Sequence, residues 1–508
     1  MSKKKYHSDQ NYIKKNRFLL FFLLGYLVLS VLLFDPKISS GGDNVVYMIL
    51  AESMISGKGY RDIHLPDEPQ HTLYPFGFPL LLALPMLLFG RNVFVFKLLI
   101  LLAGLGMMYF IYAIGRHLFK EKVNIILAFC LSIPIFTVYN HWILTEIPYL
   151  CLSLGAVYFF LKASTDNRIL YYISFFLATY ATFIRTVGVA LVISMVLILI
   201  LKKQLKYAGI LAVMFLLIFI PWQIRNAGIS HEAGYIEQLL AKYPYDLELG
   251  VVGFSDFIRR VWNNLIFYSL LIIPTTMMPI IKSGMISIGV GSFLVMVTVL
   301  GLITRFRKMS VIELYFMLSC VILLAWPKIW SSKRLFLPFL PLFIIYFYYG
   351  LVWLGKKVKF RHLIYVITVI FLVFNVISLF GEANRSFTDN ISYIRGDKYV
   401  GYRVQWRHYC ETVDWVGQHI SKNCIIMARK PEFVYIMSGH KSLAYPFSTD
   451  SAIVKTAIEQ SDFIIFDNVY QKSMARRWLL PVLEQDPEKY RIVYNTEELD
   501  FYVIRVLK

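Results

Sequence analysis

Long apolar segments recur through the chain from residue 18 to residue 381, and short basic clusters separate many of them. Hydrophobic residues occupy 57% of the 508 positions and charged residues only 17%, whereas soluble globular proteins carry roughly 25% charged residues. Gly, Pro and Cys are too few for a collagen-like, disordered or disulfide-stabilised chain. The pattern therefore predicts an α-helical protein that crosses the membrane several times.

The net charge of +20 does not indicate nucleic-acid binding, because the positive excess is confined to one part of the chain. Residues 1–381 contain 35 basic and 16 acidic residues, whereas residues 382–508 contain 17 basic and 16 acidic residues. Basic residues that accumulate in short connections between apolar segments are typical of cytoplasmic loops. We therefore expect the lipid bilayer, and no nucleic acid, as a partner.

The basic clusters also set the expected orientation. Lys and Arg residues precede the first apolar segment, 18–34, so the N-terminus is predicted to be cytoplasmic. Further spans are predicted at 93–115, 123–139, 143–163, 169–184, 186–201, 207–222, 286–304, 310–326, 334–354 and 362–381. The segments 76–90 and 264–281 are short and contain prolines, which favours interfacial or re-entrant segments. About 11 spans result, or about 13 if these two segments belong to further crossings.

The predicted spans define a multi-pass protein of the cell membrane with two domains. Residues 1–381 form the membrane domain, with a first outer loop at 35–92 and a second outer loop at 223–285. Because the number of spans is odd, the tail 382–508 is predicted to lie on the extracytoplasmic side.

The tail has the sequence pattern of a small α/β domain. Short runs rich in β-branched and aromatic residues occur at 424–428, 463–466 and 501–504. Stretches with helical character lie near 406–420, 450–460 and 472–484. Alternation of strands and helices predicts a sheet covered by helices.

Acidic residues are almost absent from the predicted spans, whereas a transporter would normally place charged or polar groups near the bilayer midplane. Acidic residues concentrate in the two outer loops instead. Basic residues near the outer ends of the spans accompany them and include Arg185, Arg225, Lys333 and Arg334. Carboxylates above a basic ring suggest chemistry on a lipid-linked anion, although an ordinary solvated face would have the same composition.

Asp43 lies at the expected start of a short helix in the first outer loop. The residues that follow it are amphipathic at helical spacing, and Ser56-Gly57 is predicted to end the helix. Asp43 is then either a helix N-cap or a carboxylate that a rigid element holds at the membrane surface.

Several motifs resemble, in order along nearly the whole chain, those of the GT-C glycosyltransferases related to protein O-mannosyltransferase and lipid A aminoarabinose transferase. They are Gly42-Asp43-x-x-x-Tyr47-x-x-x-Ala51, Gly57-x-Gly59-Tyr60, Tyr74-Pro75-x-Gly77-x-Pro79, Thr145-Glu146-x-Pro148, Arg185-Thr186-x-Gly188, Pro221-Trp222-x-x-Arg225-Asn226 and Lys333-Arg334-x-x-x-Pro338. Each motif is weak alone, but the ordered set is specific. The resemblance implies a GT-C fold and transfer of a sugar from a polyprenyl phosphate to an extracytoplasmic acceptor, which is a glycan, a lipid or a protein.

The resemblance also assigns roles. A hydroxyl acceptor benefits from a carboxylate base, and Asp43 is the candidate. The leaving phosphate needs stabilisation of its negative charge, for which Arg225 is the first candidate, followed by Arg334, Lys333 and Arg185. One base without a second carboxylate nucleophile implies a single displacement with inversion.

Four further residues are expected to contact the acceptor or to support the site: Tyr47, His71, Tyr74 and Glu146. Many relatives have a second acid after the aspartate, but this chain has Asn44, so Asp43 is the candidate base at that position. Asp62, Asp67 and Glu68 are the alternatives.

A metal cofactor is not expected. His64, Asp67, Glu68 and His71 could bind a divalent cation, but their spacing matches no strong metal pattern. Two other functions stay open: a glycan polymerase or ligase that uses a polyprenyl diphosphate donor, and a lipid or polysaccharide transporter.

Overall fold

The computed structural model describes residues 2–164, 166–229, 235–244, 249–360, 362–469, 474–496 and 501–507. The chain divides into two compact units. The first unit comprises Met1–Asp35, Thr72–Phe78 and Phe96–Phe387, and the second comprises Pro36–His71, Pro79–Val95 and Thr388–Lys508.

The first unit is helical. Its longer helices span Ser2–Leu32, Val93–Phe119, Val123–Ser132, Glu146–Lys162, Ile169–Ile184, Val189–Leu201, Leu205–Ala227, Phe254–Phe267, Met285–Arg305, Val311–Ala325, Leu340–Lys357 and Leu363–Ile394. Short helices span Ile135–Val138, Tyr235–Leu240, Ile273–Met277 and Lys333–Phe336. Most of these helices coincide with predicted spans, because apolar composition over the required length is a strong signal.

Among the described residues, five helices are long and apolar enough to cross a membrane. The segments Val123–Ser132 and Ile135–His141 make a sixth span if they are counted together, although they are bent by 66°. Six other apolar helices are shorter. These findings confirm a polytopic helical membrane protein, whereas the number of about 11 to 13 spans stays a prediction.

Small residues allow a close contact between two helices of the first unit. A Cβ on Gly301 would lie 1.9 Å from the carbonyl oxygen of Tyr346, and a Cβ on Gly350 would lie 1.8 Å from that of Val297. The helices Met285–Arg305 and Leu340–Lys357 therefore pack backbone to backbone, which is how membrane helices use glycine.

The second unit contains a five-stranded sheet. Its strands are β1 (Ile426–Met427), β2 (Ser442–Leu443), β3 (Phe463–Phe466), β4 (Tyr490–Asn495) and β5 (Tyr502–Val506), in the order β2-β1-β3-β5-β4. β1 is parallel to β2 and β3, while β5 is antiparallel to β3 and β4. Helices in this unit span Asn44–Ile55, Val404–His419, Pro431–Ser438, Ser451–Glu459, Met474–Trp478 and Leu480–Leu483. The predicted C-terminal sheet region is confirmed.

Most of the first outer loop, residues 36–71 and 79–92, belongs to the same compact unit as the tail. Val45 belongs to the apolar core that Trp406 and Val413 also form. The backbone N–H of Ser442 donates to the carbonyl oxygen of His64 (2.9 Å), and the Tyr402 hydroxyl donates to that of Ile38. The predicted domain boundary at 381/382 falls inside the helix Leu363–Ile394 and stays a prediction.

Candidate active site

A buried carboxylate joins two predicted site arginines in the first unit. Glu146 is the first residue of the helix Glu146–Lys162 and is fully buried. Its Oε1 accepts a hydrogen bond from Nη1 of Arg185 (2.6 Å) and another from Nε of Arg334. Arg185 Nη1 also donates to Oγ1 of Thr145 (2.8 Å). Charge-assisted bonds of this kind fix the orientation of both guanidinium groups.

Local backbone structure places both arginines at element ends. Arg185 follows the helix Ile169–Ile184 in an extended conformation (φ −142°, ψ 127°). The three-residue turn after it ends at Gly188, where a Cβ would lie 2.8 Å from backbone atoms of Thr182. The glycine of the Arg-Thr-x-Gly motif therefore lets the chain reverse close to its own helix.

Arg334 lies in the short helix Lys333–Phe336. Its neighbour Lys333 donates from Nζ to the carbonyl oxygen of Thr275 (2.7 Å). The two residues of the Lys-Arg motif thus make different contacts, Arg334 with Glu146 and Lys333 with the backbone.

Aromatic side chains connect the Tyr74-Pro75-x-Gly77 motif with the Pro221-Trp222 motif. Phe76 stacks on Phe183 with ring centroids 4.9 Å apart, and it meets the edge of Trp222 at 5.3 Å. The guanidinium of Arg225 lies 5.0 Å from the Trp222 ring centroid and donates from Nη1 to Oδ1 of Asn226 (2.8 Å). Arg225 is therefore oriented by its own motif.

Gly77 brings the first-loop motif against the backbone that leads to Arg185. A Cβ at this position would lie 2.5 Å from the carbonyl oxygen of Phe183, and the hydroxyl of Tyr180 donates to the Gly77 carbonyl oxygen (2.9 Å). Within the first unit, ring contacts thus run from Arg225 through Trp222 and Phe76 to Phe183. Phe183 lies two residues before Arg185 in the chain, and Arg185 shares Glu146 with Arg334. Tyr74 is half-buried in the same motif.

Asp43 is located in the second unit. It is the N-cap residue of the helix Asn44–Ile55, as predicted, but its side chain makes no capping hydrogen bond. The side-chain amide of Asn44 donates to the carbonyl oxygens of Ser39 (2.8 Å) and Gly41 (2.9 Å). Tyr47, one turn further on, is buried.

His71 is held by an acid. Its Nδ1 lies 3.0 Å from Oδ2 of Asp62, and its ring meets the edge of the Tyr60 ring at 5.6 Å. Asp62 therefore makes the contact that fixes the orientation of the imidazole.

Groups of three or more His, Cys, Asp or Glu residues that could hold a metal ion are absent from the described part of the chain. Glu68 instead accepts from the ammonium groups of Lys58 and Lys441, each at 2.5 Å. The hydrogen bonds from Lys441 and Lys58 lower the pKa of Glu68. Burial lowers the pKa of His64, and Asp67 is exposed.

The sequence motifs contain the charged members of this site but do not indicate which of them pair or which aromatic residues connect them. Phe76 and Phe183 look like ordinary apolar residues, and the contacts of Phe76 with Phe183 and with the motif residue Trp222 join segments more than 30 residues apart. The association of Asp62 with His71 had a weak signal, since both lie in the polar part of the first outer loop.

A family model matches part of the chain. Residues 73–224 match the family model of dolichyl-phosphate-mannose-protein mannosyltransferase. No sequence among the curated proteins matches this chain.

Two crystal structures of ArnT from Cupriavidus metallidurans are similar to 96% of the chain at 13% sequence identity. For the apo state the TM-score is 0.61, and 97% of the ArnT chain is covered. For the complex with undecaprenyl phosphate the TM-score is 0.56, and 98% of the ArnT chain is covered. The archaeal oligosaccharyltransferase AglB from Archaeoglobus fulgidus, in complex with an inhibitory peptide and a dolichol-phosphate, gives 0.57 at 11% identity, with 97% of this chain and 74% of AglB covered.

These structures show that the chain has the GT-C glycosyltransferase fold. The family model matches residues 73–224 only, and the identities to the structures are 11–13%, so the fold is what these comparisons establish. The GT-C fold that the motif resemblance implies is therefore confirmed.

Proposed function

We propose that this protein transfers a sugar from a polyprenyl phosphate to an acceptor on the extracytoplasmic face of the cell membrane, with its N-terminus in the cytoplasm. The observation that carries the proposal is the contact series in which Glu146, Arg185, Arg334 and Arg225 are linked. Structures with the same fold hold undecaprenyl phosphate or dolichol-phosphate, and an arginine-rich site suits such a ligand.

The arginines stabilise the leaving group in this proposal. As the bond between the anomeric carbon and the phosphate oxygen breaks, negative charge builds on that oxygen. Guanidinium groups donate hydrogen bonds in a planar fork that matches a phosphate. Arg225, Arg334 and Arg185 contribute such donors with Lys333, and Glu146 positions Arg185 and Arg334 because its Oε1 accepts a hydrogen bond from each.

Asp43 acts as the general base. The acceptor hydroxyl oxygen attacks the anomeric carbon, and its proton passes to the Asp43 carboxylate while the polyprenyl phosphate leaves. This single displacement inverts the anomeric configuration. Tyr47, His71 and Tyr74 contact or orient the acceptor, and Asp62 fixes the His71 ring.

Transfer should be measured in proteoliposomes with radiolabelled polyprenyl-phosphate sugars. We expect Asp43→Asn to reduce the release of polyprenyl phosphate about a hundredfold or more, which is within the contribution of a positioned base. The helix start is preserved, because Asn is also a good N-cap.

Asp450→Asn is the matched control. Asp450 is likewise a helix N-cap, in the tail, and its side chain accepts from the N–H of Ala452 (2.9 Å). Its substitution should leave transfer unchanged. Equal turnover in wild type and Asp43→Asn would refute the base assignment. Turnover only with polyprenyl diphosphate donors would refute the proposed donor.

A further inference from the structure

Three parallel strands of the second unit end at one edge of the sheet. β1 and β2 are parallel, as are β1 and β3. The chain passes from β1 to β2 on one side and then crosses to β3 on the other side of β1, since the order is β2-β1-β3. In open α/β sheets, ligands bind beyond the carboxyl ends of strands where the strand order reverses.

The residues at this edge form a compact polar and aromatic group, here named the edge cluster. Arg429 follows β1, Tyr445 and Phe447 follow β2, and Asp467 directly follows β3. Trp478 joins them from the helix Met474–Trp478. The ring centroids of Phe447 and Trp478 lie 6.5 Å apart, and those of Tyr445 and Phe447 lie 5.8 Å apart.

Asp467 is the polar centre of the edge cluster. The side chain is 2% exposed, and its Oδ1 accepts from the backbone N–H of Val469 (3.2 Å). Its Oδ2 is buried and has no hydrogen-bond partner among the described residues. Buried carboxylate oxygens almost always have a partner, so this oxygen requires an explanation. Burial raises the pKa of Asp467 to about 6, and Arg429 and Tyr445 act to lower it.

The aromatic part of the edge cluster includes an exposed ring. Phe447 is 47% exposed although it is a large apolar residue. The guanidinium of Arg429 lies 4.5 Å from the Phe447 centroid, and that of Arg477 lies 4.4 Å from the Trp478 centroid. The indole Nε1 of Trp478 is buried and has no partner among the described residues, whereas buried tryptophan N–H groups usually find one.

A sugar ring matches this combination of groups. Its C–H face can pack on an aromatic ring, and its hydroxyls can donate to a carboxylate and accept from an indole or a guanidinium. The Asp467 carboxylate disfavours a bare anion.

We propose that the edge cluster binds an uncharged saccharide unit of the acceptor, stacked on Phe447 and hydrogen-bonded to Asp467. The naming of this saccharide as part of the acceptor rests on the function proposed above, but its binding does not depend on catalysis.

Binding should be measured on the full chain in nanodiscs. With 5-fluorotryptophan incorporated, Trp478→Phe assigns the ¹⁹F resonance of Trp478. The probes are trisaccharides of glucose, galactose, mannose and N-acetylglucosamine, together with a Gly-Ser-Gly peptide and inorganic phosphate. We expect at least one trisaccharide to shift the Trp478 resonance in a saturable way.

Variants test where the saccharide binds. Phe447→Ala, at an exposed position, and Asp467→Asn should each weaken the binding about tenfold or more, an effect of about 1.4 kcal/mol. Asp486→Asn is the matched control, because Asp486 is outside the edge cluster and pairs with Lys455; it should leave the shift unchanged. A response to the peptide or to phosphate alone, no response to any trisaccharide, or equal responses in all variants would overturn the proposal.

A transfer assay separates this proposal from the function. If the edge cluster binds the acceptor, Phe447→Ala raises the acceptor KM without changing kcat. A saccharide shift in a protein that shows no transfer would support the edge cluster and count against the proposed function alone.

Discussion

Glu146→Gln is the most direct test of the contact series in the first unit. Glu146 is fully buried and its Oε1 accepts from Arg185 and Arg334, whose side chains are only 13% and 23% exposed. Hydrogen bonds to charged groups contribute about 1.5–3 kcal/mol and neutral ones about 0.5–1.5 kcal/mol. Two bonds that lose the carboxylate charge should therefore reduce the free energy of unfolding by about 2–3 kcal/mol.

The same change should slow transfer. If Glu146 orients the two arginines for the phosphate, the lost transition-state stabilisation appears in kcat, at about tenfold for each 1.4 kcal/mol. We expect a decrease in kcat of about ten- to a hundredfold per folded molecule. Folded protein is quantified by size-exclusion chromatography after heating, and transfer is measured at saturating donor.

Glu313→Gln provides a matched control. Glu313 is 2% exposed, accepts from Nε of Arg305 (3.2 Å) and lies in the first turn of the helix Val311–Ala325. This variant should lose stability to a similar extent but keep its kcat per folded molecule. An equal decrease of kcat in both variants, or an unchanged kcat in Glu146→Gln, would refute the positioning role.

Three further predictions follow from the contacts. Gly77→Ala should destabilise the protein by about 1–3 kcal/mol in thermal unfolding because its Cβ would meet the Phe183 carbonyl, whereas Gly209→Ala, with open space around it, should be neutral or stabilising. Because the folded-state pKa of Glu68 is lowered, this carboxylate stabilises the fold above its unfolded pKa, and that stability is lost as pH falls through the folded pKa. Lys441→Met should remove part of this stability, which unfolding between about pH 3 and pH 6 would measure. Because burial raises the pKa of Asp467 from 3.8 to about 6, the stability of the wild type should decline as pH rises between these two values. Asp467→Asn should abolish this decline and stabilise the protein by up to about 3 kcal/mol above pH 6, as urea unfolding at several pH values would show.

The sequence predicted the helices well and the site geometry poorly. The predicted span 169–184 coincides with the helix Ile169–Ile184, because its apolar composition alone determines it. The predicted span 123–139 is instead divided at Ile133 and Pro134 and bent by 66°. A proline in a helical pattern indicates a kink or an end, but the size of the bend depends on packing.

The sequence pattern does not predict β2 and β4, because both strands depend on contacts with distant parts of the chain. β2 contains two residues, which is too short for any alternating pattern. β4 lies at the sheet edge, and its residues are mostly exposed, so no continuous apolar run marks it. Its strand conformation comes from pairing with β5, which is a long-range contact.

Glu146 illustrates what local sequence can and cannot provide. Its position at a helix start follows from the Thr-Glu-x-Pro motif, and a carboxylate there interacts favourably with the helix dipole. Its partners, Arg185 and Arg334, are 39 and 188 residues away. Only the packing of three helical segments brings them together, so the sequence could suggest the participants but not the shared oxygen.

Asn44 gives a structural reason for the departure from the acidic pair of the relatives. Its amide donates to the carbonyl oxygens of Ser39 and Gly41, and these two hydrogen bonds stabilise the turn before the helix Asn44–Ile55. A carboxylate has no hydrogen to donate and would face two carbonyl oxygens across less than 3 Å, which is repulsive in a buried position. The amide therefore fits this turn and a second acid does not. The proposed mechanism then depends on one base, Asp43, which occupies the adjacent position on the turn that Asn44 stabilises.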